Sequence, residues 1–401
     1  MLSVEEARAR IFAGLSPVGA EVVSLAEAWG RVLAVAVDAR LTQPPADVSA
    51  MDGYAVRAAD AAEGARLRVV GAAPAGRPFD GTLKWGEAVR IFTGSVIPPG
   101  ADSVLLQENA TAEADAVLVG QAPAAGQHIR RKGQDFAAGD MVLSPGRRLG
   151  AREIGLAAAA NHPWLTVHRR PRVAILSTGD EIFMPGDRVS AGGIVSSNAH
   201  VLAGVVRAAG GEPVMLPLAG DSVAAIADAA AQAGGADILV TTGGASVGDH
   251  DLVQAGLSER GFVLDFWKIA MRPGKPMIFG RLEGIPVLGL PGNPVSAFVC
   301  AVLFLLPALA RLAGLPEAAP PTEMAVLGAK LRANDVRADH LRATLQRGPA
   351  GEWIATPFER QDSALQTVLA RAEALILRPP FAEAAEAGTP VPIIRLDVFG
   401  F

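Results

Sequence analysis

With 401 residues, 50% hydrophobic and only 19% charged, the chain is long enough for roughly two to four domains and too apolar to be disordered. Its 36 basic and 41 acidic side chains leave a net charge of -5, which excludes a protein-wide positive field for nucleic acid, so any anion has to be held locally. The single cysteine, Cys300, excludes an internal disulfide framework and a four-cysteine cluster, and its place in an apolar helix-like run reads as a buried small hydrophobe.

In chain order, Ser3 and Glu6 have capping-box spacing ahead of an amphipathic helix, and no apolar signal core follows, so a cytoplasmic location is expected. Ser24 and Glu27 repeat that spacing and predict a second helix running to Val37. A Pro44-Pro45 loop then opens short alternating runs, such as 89–92 and 103–106, punctuated by Gly and Pro as far as residue 143. That pattern predicts a small mostly-β unit. From 172 to 314 strands over 173–176, 212–216, 238–241 and 285–288 alternate with helices over 200–209, 222–233, 252–259 and from Val295 onward. Apolar strands separated by such helices predict a parallel sheet covered on both faces. The uncharged stretch 284–310 is cut by Pro286, Pro291, Gly292 and Pro294. That leaves about sixteen helical residues, roughly 24 Å against a ~30 Å hydrocarbon core, so a buried strand and helix are expected and no membrane span. A Pro- and Ala-rich linker, 315–321, leads to a final strand-rich segment of about eighty residues.

Chemistry is most legible where three unusual loops each follow a predicted strand. Val173-Ala-Ile-Leu-Ser-Thr-Gly-Asp180-Glu181 ends in two acids; Thr242-Gly243-Gly244-Ala-Ser246-Val-Gly248-Asp249-His250-Asp251 runs from glycines into acids; the third is Leu290-Pro291-Gly292-Asn293-Pro294. Ligands in open parallel sheets bind beyond the carboxyl ends of the strands, so all three loops are expected to line one crevice. Paired glycines bring backbone N–H groups close to an anion, with Ser246 as a further donor, although a tight turn alone accounts for glycines as well. Asp180, Glu181, Asp249 and Asp251 around a phosphate would repel it by ~4 kcal/mol per charge pair at 4 Å and an effective dielectric near 20. A divalent cation is therefore expected, and all-oxygen ligands favour Mg²⁺; each acid taken singly also reads as a helix cap. Opposing charge is carried by Lys268, Arg272 and Lys275 and by the run from His128 through Arg130 to Asp135. No G-x-G occurs and the one Gly-Lys precedes a proline, so dinucleotide and Walker A loops are excluded, and the six histidines form no zinc-protease pattern.

Taken together, Ser49-Ala-Met-Asp-Gly-Tyr-Ala-Val, Arg90-Ile-Phe-Thr-Gly, Pro99-Gly-Ala-Asp, Ser177-Thr-Gly-Asp-Glu, Thr242-Gly-Gly-Ala-Ser-Val-Gly, Pro273-Gly-Lys-Pro and Leu290-Pro-Gly-Asn-Pro-Val-Ser-Ala resemble the molybdopterin molybdenumtransferase family, the MoeA and gephyrin E-domain group. The motifs recur in family order over essentially the whole chain. Two spellings depart from the family: Arg272 stands where lysine is usual before Pro-Gly-Lys-Pro, and Asp362-Ser-Ala-Leu-Gln lacks the customary glycines.

The resemblance implies a multidomain α/β plus β chain. A parallel-sheet α/β domain similar to molybdopterin adenylyltransferases would span 1–20 and 167–314, a linking domain 21–42 and 137–166, an inserted β-rich domain 43–136 and a C-terminal β-barrel 315–401. It implies a homodimer with composite sites that inserts molybdate into adenylylated molybdopterin and releases AMP, with Mg²⁺. Its partners would be the pterin-synthesising and pterin-adenylylating proteins of the same pathway, with no nucleic acid and no membrane. Asp180, Glu181, Asp221, Asp249 and Asp251 would hold the metal or orient water; Gly243, Gly244, Ser246, Pro291, Gly292, Asn293 and Arg130 would bind substrate. Lys268, Arg272 and Lys275 would screen phosphate charge, and Asp52, Thr93 and Asp135 would complete the catalytic set. A scaffold keeping the fold and a pterin adenylyltransferase are the alternatives. Intact acidic loops argue against the first, and the Asp52 region with the Pro-Gly-Asn-Pro loop argues against the second.

Overall fold

The computed structural model describes residues 1–243, 252–316 and 319–400. The α/β domain is built on a six-stranded sheet in the order Glu212–Met215, Arg172–Ser177, Ile238–Thr242, Ile285–Leu290, Pro276–Leu282, Phe262–Lys268. The first four strands run parallel, and Ile238–Thr242 is buried at every residue, as expected of a strand covered on both faces. Pro276–Leu282 runs antiparallel to both its neighbours, Ile285–Leu290 and the edge strand Phe262–Lys268, an arrangement that the strand and helix alternation did not include. Glu283 and Gly284, with φ of 48° and 89°, form the two-residue connection between Pro276–Leu282 and Ile285–Leu290, the turn hand that matches strand twist.

One face of the sheet is covered by Asn198–Ala208, by the helix Pro294–Leu312 and by the N-terminal helix Val4–Ala13. The capping box at Ser3 and Glu6 forms as its spacing predicts: Glu6 N donates to Ser3 Oγ (3.1 Å) and Ser3 N to the Glu6 carboxylate (2.8 Å). Ile11 then buries against the sheet at 2% exposure. Ile11→Ala is expected to cost about 2–5 kcal/mol through lost transfer energy and a residual cavity. A urea midpoint unchanged from wild type would show that this helix does not support the sheet. Pro294–Leu312 is long and apolar enough to cross a bilayer, and 83% of its most apolar window is inside the fold, so it serves here as a core helix. At 19 residues it exceeds the sixteen expected because Pro294 opens the helix in its first turn and the helix runs past Arg311 to Leu312, through a π turn at Ala301–Leu305. Within it Cys300 is fully buried, and burial pushes its thiol far up, so it is inert.

The second predicted helix is absent. Residues 25–37 hold only the single turn Leu25–Glu27, because Ser24 Oγ donates to the Glu27 carboxylate (3.0 Å) instead of capping a backbone N–H. Gly30 turns at φ 74°, and Val32 and Leu33 bridge to Arg148 and Val167. Burial of Val23, Leu33 and Leu165 in one cluster between segments distant in sequence overrides the local signal. The inserted unit is a six-stranded sheet, ordered Ser103–Leu106, Gly53–Val56, Glu87–Ile91, Arg66–Ala73, Ala116–Val119, Ala110–Ala112. In the C-terminal domain Glu323–Leu327, Ala338–Arg347, Trp353–Pro357, Ala374–Arg378 and Pro390–Arg395 close into a barrel, which removes exposed edges. Met271–Arg272 pairs with the Ala338 strand and ties this barrel to the α/β domain.

Candidate active site

The carboxyl ends of three parallel strands stand in register, Ser177 opposite Thr242 and Thr242 opposite Leu290. Thr178, Gly243 and Pro291 therefore leave the sheet side by side. Gly243 turns at φ 101°, and a Cβ there would run into the Thr178 carbonyl oxygen, so the approach of these loops requires glycine. Asn198, the first residue of its helix, locks them together. Its Nδ2 donates to Thr242 Oγ1 (2.9 Å) and to the Gly292 carbonyl (2.7 Å), and Thr242 Oγ1 donates on to the Pro291 carbonyl (3.3 Å). Asn198→Ala is expected to lower turnover roughly tenfold with an unchanged circular dichroism spectrum, since about 1–1.5 kcal/mol of loop positioning is lost. Wild-type turnover would remove this network from the site.

These loops floor a cleft of about 910 Å³, of nucleotide size. The helices Asn198–Ala208 and Pro294–Cys300 begin at its edge, so their first turns present partial positive charge to it. Ser177 Oγ and Thr178 Oγ1, from two lining residues, are buried without a hydrogen-bond partner among the described residues. Unpaired buried hydroxyls are costly, and a polar ligand would satisfy them. The far wall is Ala364, Leu365, Gln366 and Thr367 of the barrel domain. Gln366 Nε2 donates to Ser197 Oγ, and Val295 N to the Ser363 carbonyl (3.1 Å). Sequence reasoning gave this segment no role, and it gave none to Thr178 or Asn198; the Ser196-Ser197-Asn198 run opening a helix after a strand-end loop was the available signal.

Of the expected metal-site acids, Glu181 lines the cleft. Beside it Asp180 and Asp221 interlock: Asp221 N donates to Asp180 Oδ1 (2.9 Å) and Asp180 N to Asp221 Oδ2 (3.3 Å). Each keeps a second carboxylate oxygen with no partner among the described residues. No group of three His, Cys, Asp or Glu able to hold a metal occurs among the described residues, and Gly244, Ser246, Asp249 and Asp251 lie outside them.

Gly243, Gly292 and Asn293 line the cleft as expected, whereas Asp52, Thr93, Arg130, Asp135, Lys268, Arg272 and Lys275 do not line it within the chain. Asp52 Oδ1 accepts from Thr93 N (2.7 Å) and Thr93 Oγ1 (2.8 Å), and these bonds, the backbone one foremost, hold its carboxyl below the usual range. Arg130 is exposed on a short strand beside Val48–Ser49, and Asp135 N donates to the Gln43 carbonyl (3.1 Å). Lys268 Nζ stands 3.6 Å from the Trp267 ring centre, and the Lys275 carbonyl accepts from Ile269 N (3.1 Å). Arg272 is clasped at two points by Asp339 of the barrel, Nε to Oδ1 at 2.9 Å and Nη2 to Oδ2 at 3.3 Å, a geometry that lysine does not reproduce.

Three family models match in order: MoeA N-terminal region (domain I and II) over residues 2–161, a probable molybdopterin binding domain over 174–311, and MoeA C-terminal region (domain IV) over 324–396. The molybdopterin molybdenumtransferase of a Nostoc species is 39% identical over 310 residues, 75% of this chain and 71% of that protein. The one from Haemophilus influenzae is 37% identical over 331 residues, 82% and 81% of the two chains. A crystal structure of the molybdopterin biosynthesis MoeA protein from Pyrococcus horikoshii superposes with a TM-score of 0.84 at 28% identity, over 98% of this chain and 99% of that one. An α/β domain with a strand-end cleft, an inserted β domain and a C-terminal barrel in this order define a multidomain protein of molybdopterin metabolism. The chain belongs to the molybdopterin molybdenumtransferase family.

Proposed function

We propose that this enzyme transfers molybdenum from molybdate to adenylylated molybdopterin with release of AMP, in molybdenum cofactor biosynthesis. The observation that carries the reading is the nucleotide-sized cleft at the strand ends, lined by the unpaired hydroxyls of Ser177 and Thr178 and by Glu181, in a chain of this family. Ser177, Thr178 and the Gly243 turn donate to the phosphoanhydride and the rings beside it, joined by Gly244 and Ser246. Pro291, Gly292 and Asn293 hold the opposite edge. Glu181 orients the water that displaces AMP from phosphorus. Arg272, through Asp339, positions the barrel domain whose 364–367 segment closes the far wall. Lys268 and Lys275 add positive charge at longer range.

The oxygen-only donor set fits Mg²⁺: Asp180 and Asp221 reach one turn with a carboxylate oxygen each to spare, beside Glu181. These three, with Asp249 and Asp251, would hold it, and when bound it supplies positive charge that offsets the phosphates. The protein acts in the cytoplasm as a homodimer, taking its substrate from the pterin-adenylylating protein of the pathway. Asp52, Thr93, Arg130 and Asp135 then reach the cleft of the partner subunit. AMP release from adenylylated molybdopterin, measured with and without molybdate and Mg²⁺, tests the transfer reading. Release is expected to accelerate when both are present, and an equal rate without molybdate would overturn it.

A further inference from the structure

A second cleft, of about 770 Å³, shares no lining residue with the first. The linking domain contributes Trp29, Arg148 and Arg152, the α/β domain Arg170 and Arg207, and the C-terminal segment its residues 398–400. Four arginines therefore line one cavity in a chain of net charge -5. Among the described residues the one carboxylate that lines it, Glu153, is already taken: Oε1 accepts from Arg147 Nε (3.0 Å) and Nη2 (2.7 Å), and Oε2 from Gly150 N (2.9 Å). Asp397 is taken by Arg395 (3.0 Å) and Asp237 by Arg169 (2.7 Å).

Arg148 and Arg170 donate only to the carbonyls of Gly30 and Gly210, both at 3.3 Å, and none of the four arginines pairs with a carboxylate among the described residues. Desolvation pushes Arg148 below the usual arginine range, the mark of a cation without a counter-charge. The Trp29 ring on the same wall is 69% exposed, an apolar face with nothing stacked on it among the described residues.

We propose that this cleft is a second ligand site, taking a small phosphorylated heteroaromatic molecule of nucleotide size whose phosphates lie among the arginines and whose ring stacks on Trp29. Planar guanidinium forks match phosphate oxygens two at a time, and an indole face accepts any planar ring. The volume of about 770 Å³ suits such a molecule. The transferase reading neither requires nor predicts this site.

ADP serves as the probe, titrated calorimetrically into the full-length protein. Arg152→Ala with Arg207→Ala changes exposed side chains only, so the circular dichroism spectrum is expected to stay as in wild type. ADP affinity at this site is expected to fall by roughly a hundredfold, about tenfold for each guanidinium–phosphate hydrogen bond removed. Trp29→Ala is expected to weaken ADP and leave inorganic pyrophosphate unaffected. Gly243→Val, which obstructs the first cleft, is expected to leave this binding intact. ADP binding that Gly243→Val removes and the arginine pair does not would overturn the second site. Equal affinity for ADP and pyrophosphate, with indifference to Trp29→Ala, would overturn the heteroaromatic assignment. A change in subunit association alone would make the cleft a protein interface and overturn the proposal as well.

Discussion

Gly243→Ala is expected to lower kcat/KM by about a hundredfold or more while the protein remains folded. The backbone at Gly243 has φ 101°, so any side chain adds strain of about 1–3 kcal/mol, which a domain stable by about 5–15 kcal/mol survives. The larger consequence is local. The new Cβ would press on the Thr178 carbonyl oxygen, and Gly292 packs from the other side, where its own Cβ would meet Gly243 Cα at 3.4 Å. Relief requires the Thr178 and Gly243 loops to separate, and displacement of reacting groups by about 1 Å costs about a hundredfold. Gly351→Ala is the control: its φ of 83° gives similar strain, but an added Cβ meets nothing within 4 Å. If both variants turn over like wild type, the Gly243 turn lies outside the catalytic cleft.

What the sequence revealed and what it hid divide along physical lines. The three strand-end loops were legible because glycines and acids after apolar runs are local signals, and parallel-sheet topology alone brings them to one edge. The capping box at Ser3 was legible for the same reason. The equivalent spacing at Ser24 misled, since pairing of Leu33 with Val167 depends on a segment far along the chain. The antiparallel edge had a local mark, Glu283-Gly284 between apolar runs, but the alternation of strands and helices passed from the helix 252–259 directly to the strand 285–288. Gln366 on Ser197 and Asp339 on Arg272 join residues 169 and 67 positions apart, and neither pair shows in any window of sequence. Arg272 looked like a free cation because its counter-charge comes from another domain.

Mixing inactive Asp52→Ala subunits with inactive Glu181→Ala subunits, after dissociating and reassociating both, is expected to restore activity to about a quarter of wild type. Glu181 lines the strand-end cleft, whereas Asp52, fixed by Thr93 in the inserted sheet, does not line it within its own chain. In the proposed homodimer the inserted domain of one subunit would reach the cleft of the other, and each site would draw Asp52 and Glu181 from different chains. Random pairing makes about half the dimers mixed, and each mixed dimer has one site with both acids intact and one with both lost. Averaged over all dimers, about a quarter of the sites are whole. Both changes are at polar positions near the surface, so each subunit is expected to fold and pair normally, which sedimentation checks before mixing. Should Asp52 and Glu181 act within one chain, every site keeps one lesion whatever its partner, and the mixed sample stays as inactive as its components.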